Sequence, residues 1–262
     1  MAIAHHQPRL TRPLHRPVVR AARTFPGWWA LAVQFLLVGG AALCYFGVRG
    51  LTQSSLGIAQ DNGRALVRFE QSFGIDWEHA AQALVIDHGT VVRIVNAVYM
   101  YGHWPVIALT LGVLFARAPD RFYLLRNAMF VSGAIGLVFF ALMPVAPPRL
   151  GVLDLVDTIT VGTSEYRTLQ PPGLINRYAA LPSLHFGWNL LVGIVVWRAT
   201  RRRVLRGAAV AVPAAMAFAV VATANHYVID VVAGGAVALV GLLVATRLPA
   251  VVPMPAWARR PR

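Results

Sequence analysis

The sequence predicts an all-α integral membrane protein: a bundle of six transmembrane helices with an outward-facing interfacial helix and a long outer loop. Three observations predict it. Hydrophobic residues make up 57% of the 262 residues and charged ones 13%, whereas an average soluble domain is about a quarter charged. Six apolar stretches have the length, about 20 residues each, that a bilayer core requires. The 24 basic residues, all of them arginine, are spread unevenly among the segments that separate those stretches.

The elements follow in order. Residues 1–27 form an Arg-rich tail, and Trp28–Val48 is the first span. Its apolar run of about 21 residues is long for the core of a signal peptide. Leu43 before Cys44 argues against a lipoprotein cleavage site, so the span is expected to be retained. Segment 49–90 is too polar to cross. Leu66, Phe69 and Phe73 make an apolar stripe there beside Arg64, Arg68 and Glu70, which suits a helix lying in the interface plane or one packed on the bundle. Val91–Phe115 is the second span, and Pro105 should kink it. Asn127–Val145 is the third. The connection 144–182 opens with Pro144-Val145-Ala146-Pro147-Pro148-Arg149 and is too long for idle linkage, so it is expected to be functional. Pro182 and Ser183 are start signals for a short fourth span, Ser183–Ala199, with Ser183 as its cap. Gly207–Ala224 and Tyr227–Thr246 complete the set. The reading is one membrane domain, 28–247, followed by an Arg/Pro tail, 248–262, with no internal repeat.

Charge sets the expected orientation. Seventeen of the 24 arginines fall before span one, between two and three, between four and five (counting Arg198 at the end of span four), or after six, whereas eight of the ten acidic residues fall in the alternate segments. By the positive-inside rule both termini are cytoplasmic and the two long loops face out. The formal charge of +14, with Arg201, Arg202, Arg203 and Arg206 clustered, therefore reads as a topology signal and not as a nucleic-acid surface. The single Cys44 excludes a disulfide framework and Cys-rich metal sites. The all-arginine basic set, with abundant Ala, Gly and Val, points to a high-GC bacterial genome.

Ionisable residues inside spans are costly and mark function. They are His103 in span two, His185 at the start of span four, and His226 and Asp230 at the start of span six. The topology brings the last three to the outer face. His226 and Asp230, at i and i+4, project from one side of a helix. A carboxylate bonded to one imidazole nitrogen fixes the tautomer and leaves the other as nucleophile or base. His185 sits at a helix N-terminus, where free N–H groups and the dipole favour an anion. Ser183 beside it and Asn225 beside His226 are candidate phosphate contacts, although each also reads as a plain helix-end residue. His103 reads either as lining a cavity or as a satisfied core histidine.

At these residues the chain resembles a known family. Leu181-Pro182-Ser183-Leu184-His185 followed by Phe186-Gly187-Trp188, and Thr223-Ala224-Asn225-His226-Tyr227-Val228-Ile229-Asp230, look like the second and third motifs of the type 2 phosphatidic acid phosphatase superfamily. Pro147-Pro148-Arg149 ahead of Asp157-Thr158, and Tyr99 with His103, look like its branch of aureobasidin-resistance proteins and inositol phosphorylceramide synthases. The resemblance covers roughly residues 90 to 240. It implies transfer of a phosphoryl group without metal or other cofactor: His226 attacks phosphorus, Asp230 orients it, and His185 protonates the leaving oxygen. Two of the superfamily's usual cations are replaced, by Leu142 and Val220, which leaves Arg149 as the main phosphate anchor, with Arg167 and Arg177 as weaker candidates. The expectation is a lipid phosphatase embedded in the cell membrane, with its site at the extracytoplasmic face and a phosphorylated lipid and the bilayer as its partners. The alternative is a phosphotransferase passing a phospho-headgroup, such as inositol phosphate, to a lipid hydroxyl.

Three rivals are weaker. A di-iron oxidoreductase would need clustered His boxes, which the eight histidines do not form, although two His and a carboxylate could make a facial metal site. A proton-coupled transporter would place its site at the midplane between repeats. A catalytically dead scaffold would have no reason to keep the His–His–Asp set.

Overall fold

The computed structural model describes residues 27–51, 55–162 and 177–248. These residues form ten α-helices and one 3-10 turn, and the only β pairing among them is an isolated parallel bridge between Val145 and Ala179. The helices are α1 (Gly27–Leu51), α2 (Leu56–Phe73), α3 (Glu78–Ile86), α4 (Gly89–Tyr101), α5 (Trp104–Arg117), α6 (Pro119–Leu142), α7 (Thr158–Gly162), α8 (Leu184–Ala199), α9 (Arg203–Ala222) and α10 (Val228–Ala245); the 3-10 turn is Pro148–Leu150.

Three helices, α6, α9 and α10, are long and apolar enough to cross a membrane, and a fourth crossing results if α4 and α5 count as one span. The apolar part of α1 that can be described, Trp29–Tyr45, and α8 are shorter. At 16 residues α8 is about 24 Å long, less than the usual hydrocarbon thickness.

Several boundaries differ from the expected ones, each for a physical reason. The second span is two helices bent by 47°. Pro105 stands in the first turn of α5, where a missing N–H costs nothing, so the break falls before it, at Gly102 and His103. The third span begins at Pro119 rather than Asn127 because a cation is hidden in it. Arg126 is buried against the rings of Phe122, Tyr123 and Phe130 and donates to Gln34 and Asn127. A hydropathy window sees the charge and not its partners. The stripe expected on α2 splits: its buried face is Ala59, Gly63, Leu66 and Glu70, whereas Phe69 and Phe73 pack on each other in the open, with ring centroids 4.9 Å apart.

The core sits where α10 lies between α6 and α8, with α9 packed on the far side of α8. Leu125, Leu191, Val195 and Ala238 are fully buried there. The crossing of α8 and α10 is close because Gly187 faces Gly234: a Cβ on Gly187 would lie 2.5 Å from the Gly234 carbonyl oxygen.

Side-chain amides from α2, α3 and α4 hold the connection between α6 and α7. Asn62 donates to the Pro144 carbonyl (2.8 Å) and Gln60 to that of Leu150 (2.7 Å). Gln82 pairs with the Val156 backbone in both directions (2.9 and 2.8 Å) and reaches Ala222 (3.1 Å). Asn96 exchanges hydrogen bonds with Thr158 (2.8 and 2.9 Å). Net of water, each bond contributes about 1 kcal/mol. Together they fix irregular backbone that carries Arg149 over the ends of α8 and α10.

Candidate active site

The turn between α9 and α10 carries Thr223 to Tyr227. Ala224 adopts φ 56°, the left-handed region that a residue with a Cβ enters at a cost of about 1–2 kcal/mol. The reversal turns Asn225 and His226 toward a small cavity of about 70 Å³. His185 enters from the first turn of α8, and Arg149 and Arg177 come from the connection between α6 and α8. Tyr99, His103, Trp104 and Trp188 close the deeper side.

His226 is buried, and its Nδ1 lies 2.8 Å from the Ala180 carbonyl and 3.2 Å from Asp230 Oδ2. A carbonyl oxygen only accepts, so Nδ1 carries the hydrogen and Nε2 keeps its lone pair. Asp230 is fully buried and also accepts from the Tyr227 N–H at 2.9 Å. This closes a capping box at the start of α10. The carboxylate thus fixes both the helix end and the ring.

His185 is only partly buried. It lies between Tyr99 (centroids 4.9 Å apart, planes 18° apart) and His103 (4.3 Å), and His103 stacks on Trp188 (5.7 Å, 9°). The His185 and His226 centroids are 6.1 Å apart, near enough to act on one group placed between them. Asn189, one turn after His185, donates to the His185 carbonyl (2.8 Å) and lies 3.3 Å from His103 Nδ1.

The remaining expected residues divide. Arg149 lies in the 3-10 turn and lines the cavity. Its Nε is 3.4 Å from Asp157 and its N–H donates to the Ala224 carbonyl (3.1 Å). Arg177 is exposed at the rim, and Arg167 lies outside the described residues. Asn225 lines the cavity, but its amide nitrogen donates to the Thr223 carbonyl and hydroxyl (3.1 and 2.8 Å). Donation to a substrate would require the turn to rearrange. Ser183 is fully buried, caps α8 by accepting from Phe186 N–H (3.5 Å), and is absent from the cavity lining. His103 is buried at the break between α4 and α5 and lines the cavity.

Neither Asn189 nor the Ala180 carbonyl was singled out from the sequence, and Trp188 stood there in a motif without a place in the cavity wall. Asn189 had a signal, since it is a polar residue four after His185 within an apolar span. The Ala180 carbonyl had none. Among the described residues no group of three or more His, Cys, Asp or Glu side chains is arranged to hold a metal ion.

A second, apolar cavity of about 230 Å³ lies between α1, α5, α6 and α8 and shares Tyr45, Trp104 and Trp188 with the first. A sequence model of the PAP2 superfamily matches residues 64–244, which include every expected site residue. Neither curated proteins nor solved structures gave a match.

Proposed function

We propose, from the premise that this chain belongs to the PAP2 superfamily, that it is a membrane-embedded lipid phosphatase working through a phosphohistidine on His226. The observation that carries this reading is the Nδ1 contact of His226 with the Ala180 carbonyl, which leaves Nε2 as the nucleophile. In the first step the Nε2 lone pair forms a bond to phosphorus while the bond from phosphorus to the lipid oxygen breaks. His185, protonated, gives its proton to that oxygen, so the lipid alcohol leaves neutral. In the second step the now neutral His185 takes a proton from water, the oxygen attacks phosphorus, and the phosphorus–nitrogen bond breaks. Phosphate departs and both histidines return to their starting states. Arg149 is assigned the charge that builds on the phosphoryl oxygens, because a preorganised donor costs no reorganisation in the transition state. Asp230 holds the ring and offsets its positive charge while phosphorus is attached.

The lipid part of the reading rests on the apolar cavity that adjoins the polar one through Tyr45, Trp104 and Trp188. That neighbourhood suits a substrate with a phosphate at one end and hydrocarbon at the other. Six spans, cytoplasmic termini and an extracytoplasmic site belong to the same proposal and rest on the arginine asymmetry. A phosphotransferase is the second reading. The partly exposed His185 could deprotonate an alcohol as readily as water, and the sequence resemblance to inositol phosphorylceramide synthases at Tyr99, His103, Pro147-Pro148-Arg149 and Asp157-Thr158 favours this reading.

The test is turnover of a panel of lipid phosphates by purified protein, with and without diacylglycerol, ceramide and inositol. Phosphate release without an acceptor, insensitive to chelators and lost in His226→Ala, supports the phosphatase. A new phosphodiester lipid formed only when an acceptor is supplied supports the transferase. Activity lost in chelator and restored by metal overturns both.

A further inference from the structure

Acidic side chains are almost never fully buried unless paired, yet Glu70 on α2 and Glu78 on α3 are 0% and 1% exposed. Neither has a cationic partner among the described residues. Instead both reach the start of α10. Glu78 Oε1 accepts from the Val228 N–H at 2.8 Å and Glu70 Oε1 from the Ile229 N–H at 2.7 Å. With Asp230 accepting from the Tyr227 N–H, three consecutive backbone donors of one helix end are each met by a different carboxyl group. The two glutamates come from helices 150 or more residues earlier in the chain. Because their Oε1 atoms meet adjacent backbone nitrogens, Val228 and Ile229, the two carboxyl groups lie side by side, and Glu70 Oε2 meets no donor. Two ionised carboxyls offer only acceptors and repel each other, so a dry pair is stable when one of them carries a proton.

We propose that Glu70 and Glu78 are positioning residues for the reaction: a buried carboxyl pair, bonded to adjacent N–H groups, through which α2 and α3 grip the first turn of α10 and hold His226 and Asp230 opposite His185. This deepens the phosphohistidine reading and rests on it. A helix N-terminus favours negative charge, and one carboxylate in the pair supplies it. Full ionisation of both would place like charges side by side in a dry site and push α2 and α3 off the helix end. The charged groups that act on Glu70 are Glu78 from α3 and Asp230 from the first turn of α10, the latter bonded to His226 in the preceding turn; Tyr227, in that turn, is acted on by Glu70, Glu78, Asp230 and Arg149, and its hydroxyl donates to the Ala146 carbonyl. Burial, reinforced by Glu78 and Asp230, pushes Glu70 up to about 8. The folded chain therefore holds a proton that the unfolded chain releases near its ordinary value of 4.5. Stability from this group is fully present below about 4.5 and declines as pH rises to about 8.

Glu70→Gln tests this, because the amide reproduces the protonated acid: its oxygen accepts from the Ile229 N–H and it cannot ionise beside Glu78. The expected result is turnover at pH 6.5 within about threefold of the original, without the loss the original shows as pH passes 8. Glu70→Ala, which removes the grip, should lower kcat at least about tenfold with little change in KM. Melting temperature supplies a readout independent of activity. It should fall between pH 6 and 9 in the original and stay level in Glu70→Gln. A Glu70→Gln pH–rate profile that superposes on the original overturns the proposal, as does Glu70→Ala with unchanged kcat. If Glu70→Ala does not fold, Glu70→Gln alone decides. If the protein hydrolyses no lipid phosphate, the reading of His226 fails, and the melting series still decides on the pair: the same fall in both proteins overturns it.

Discussion

A single methyl group at Gly187 should reach the chemistry two residues away. Gly187 faces Gly234 where α8 crosses α10, and its missing side chain lets the helix that carries His185 approach the helix that carries Asp230. A Cβ there would lie 2.5 Å from the Gly234 oxygen, 3.1 Å from the Gly234 carbon and 3.3 Å from Ala238 Cβ. Real Cβ contacts do not fall below 3.0 Å and rarely below 3.4 Å, so the helices must separate by about 0.5 to 0.9 Å (3.0 or 3.4 less 2.5). The closest neighbour is backbone, which cannot rotate away. Overpacking of this kind costs about 1–3 kcal/mol, and the better helix propensity of Ala returns about 0.5–1. Gly187→Ala should therefore be destabilised by up to about 2.5 kcal/mol. Since a 1 Å misplacement at a reacting centre costs about 100-fold, kcat should fall about 10- to 100-fold with KM little changed. Gly112→Ala on α5 is the control. Nothing lies within 4 Å of its Cβ, so it should gain about 0.5–1 kcal/mol and keep full activity. Thermal unfolding in detergent and steady-state kinetics on both variants give the answer. Equal stability and activity in Gly187→Ala would refute the idea that this crossing sets the distance between the two histidines.

Three further outcomes are expected. Ser183→Ala should lose the α8 cap and about 1 kcal/mol of stability while kcat/KM stays within a few-fold; a loss of 100-fold or more would make Ser183 a phosphate contact after all. Arg149→Ala should lower kcat/KM by about 100-fold or more, with Arg149→Lys recovering part of it, because a lysine supplies charge without the planar fork; activity in Arg149→Ala close to the original would remove Arg149 from the site. A reporter fused after Arg262 should be cytoplasmic, and a signal from the opposite side would invert the topology.

The sequence disclosed the centre of the site better than its surroundings. His226 and Asp230 are legible because their spacing survives any error in helix ends, and Ser183 with Pro182 announces the start of α8 through cap chemistry alone. His103 was visible as a costly polar group, but not as a ring stacked on Trp188 and tilted against His185, which depends on a bend falling at Gly102. The outer helices were read least well. The apolar stripe on α2 suited either a membrane face or a face packed on the bundle, and the face that packs keeps only Leu66 of it, beside the small and polar residues Ala59, Gly63 and Glu70. Periodicity in hydrophobicity cannot reveal a face selected for hydrogen bonding. Glu70 and Glu78 likewise gave no signal, because their partners are backbone N–H groups far along the chain. Arg126 misled in the opposite sense, since a charge counted against a span is neutral to it once aromatic faces and an amide enclose it.

The most direct test is to trap the intermediate. Purified protein mixed with radiolabelled phosphatidic acid and quenched within one turnover should carry label that is stable to base and lost in acid, as a phosphohistidine is. The label should map to the peptide containing His226 and be missing from His226→Ala. Turnover with no trapped label, or label that persists in His226→Ala, would contradict the assignment of His226 as the nucleophile.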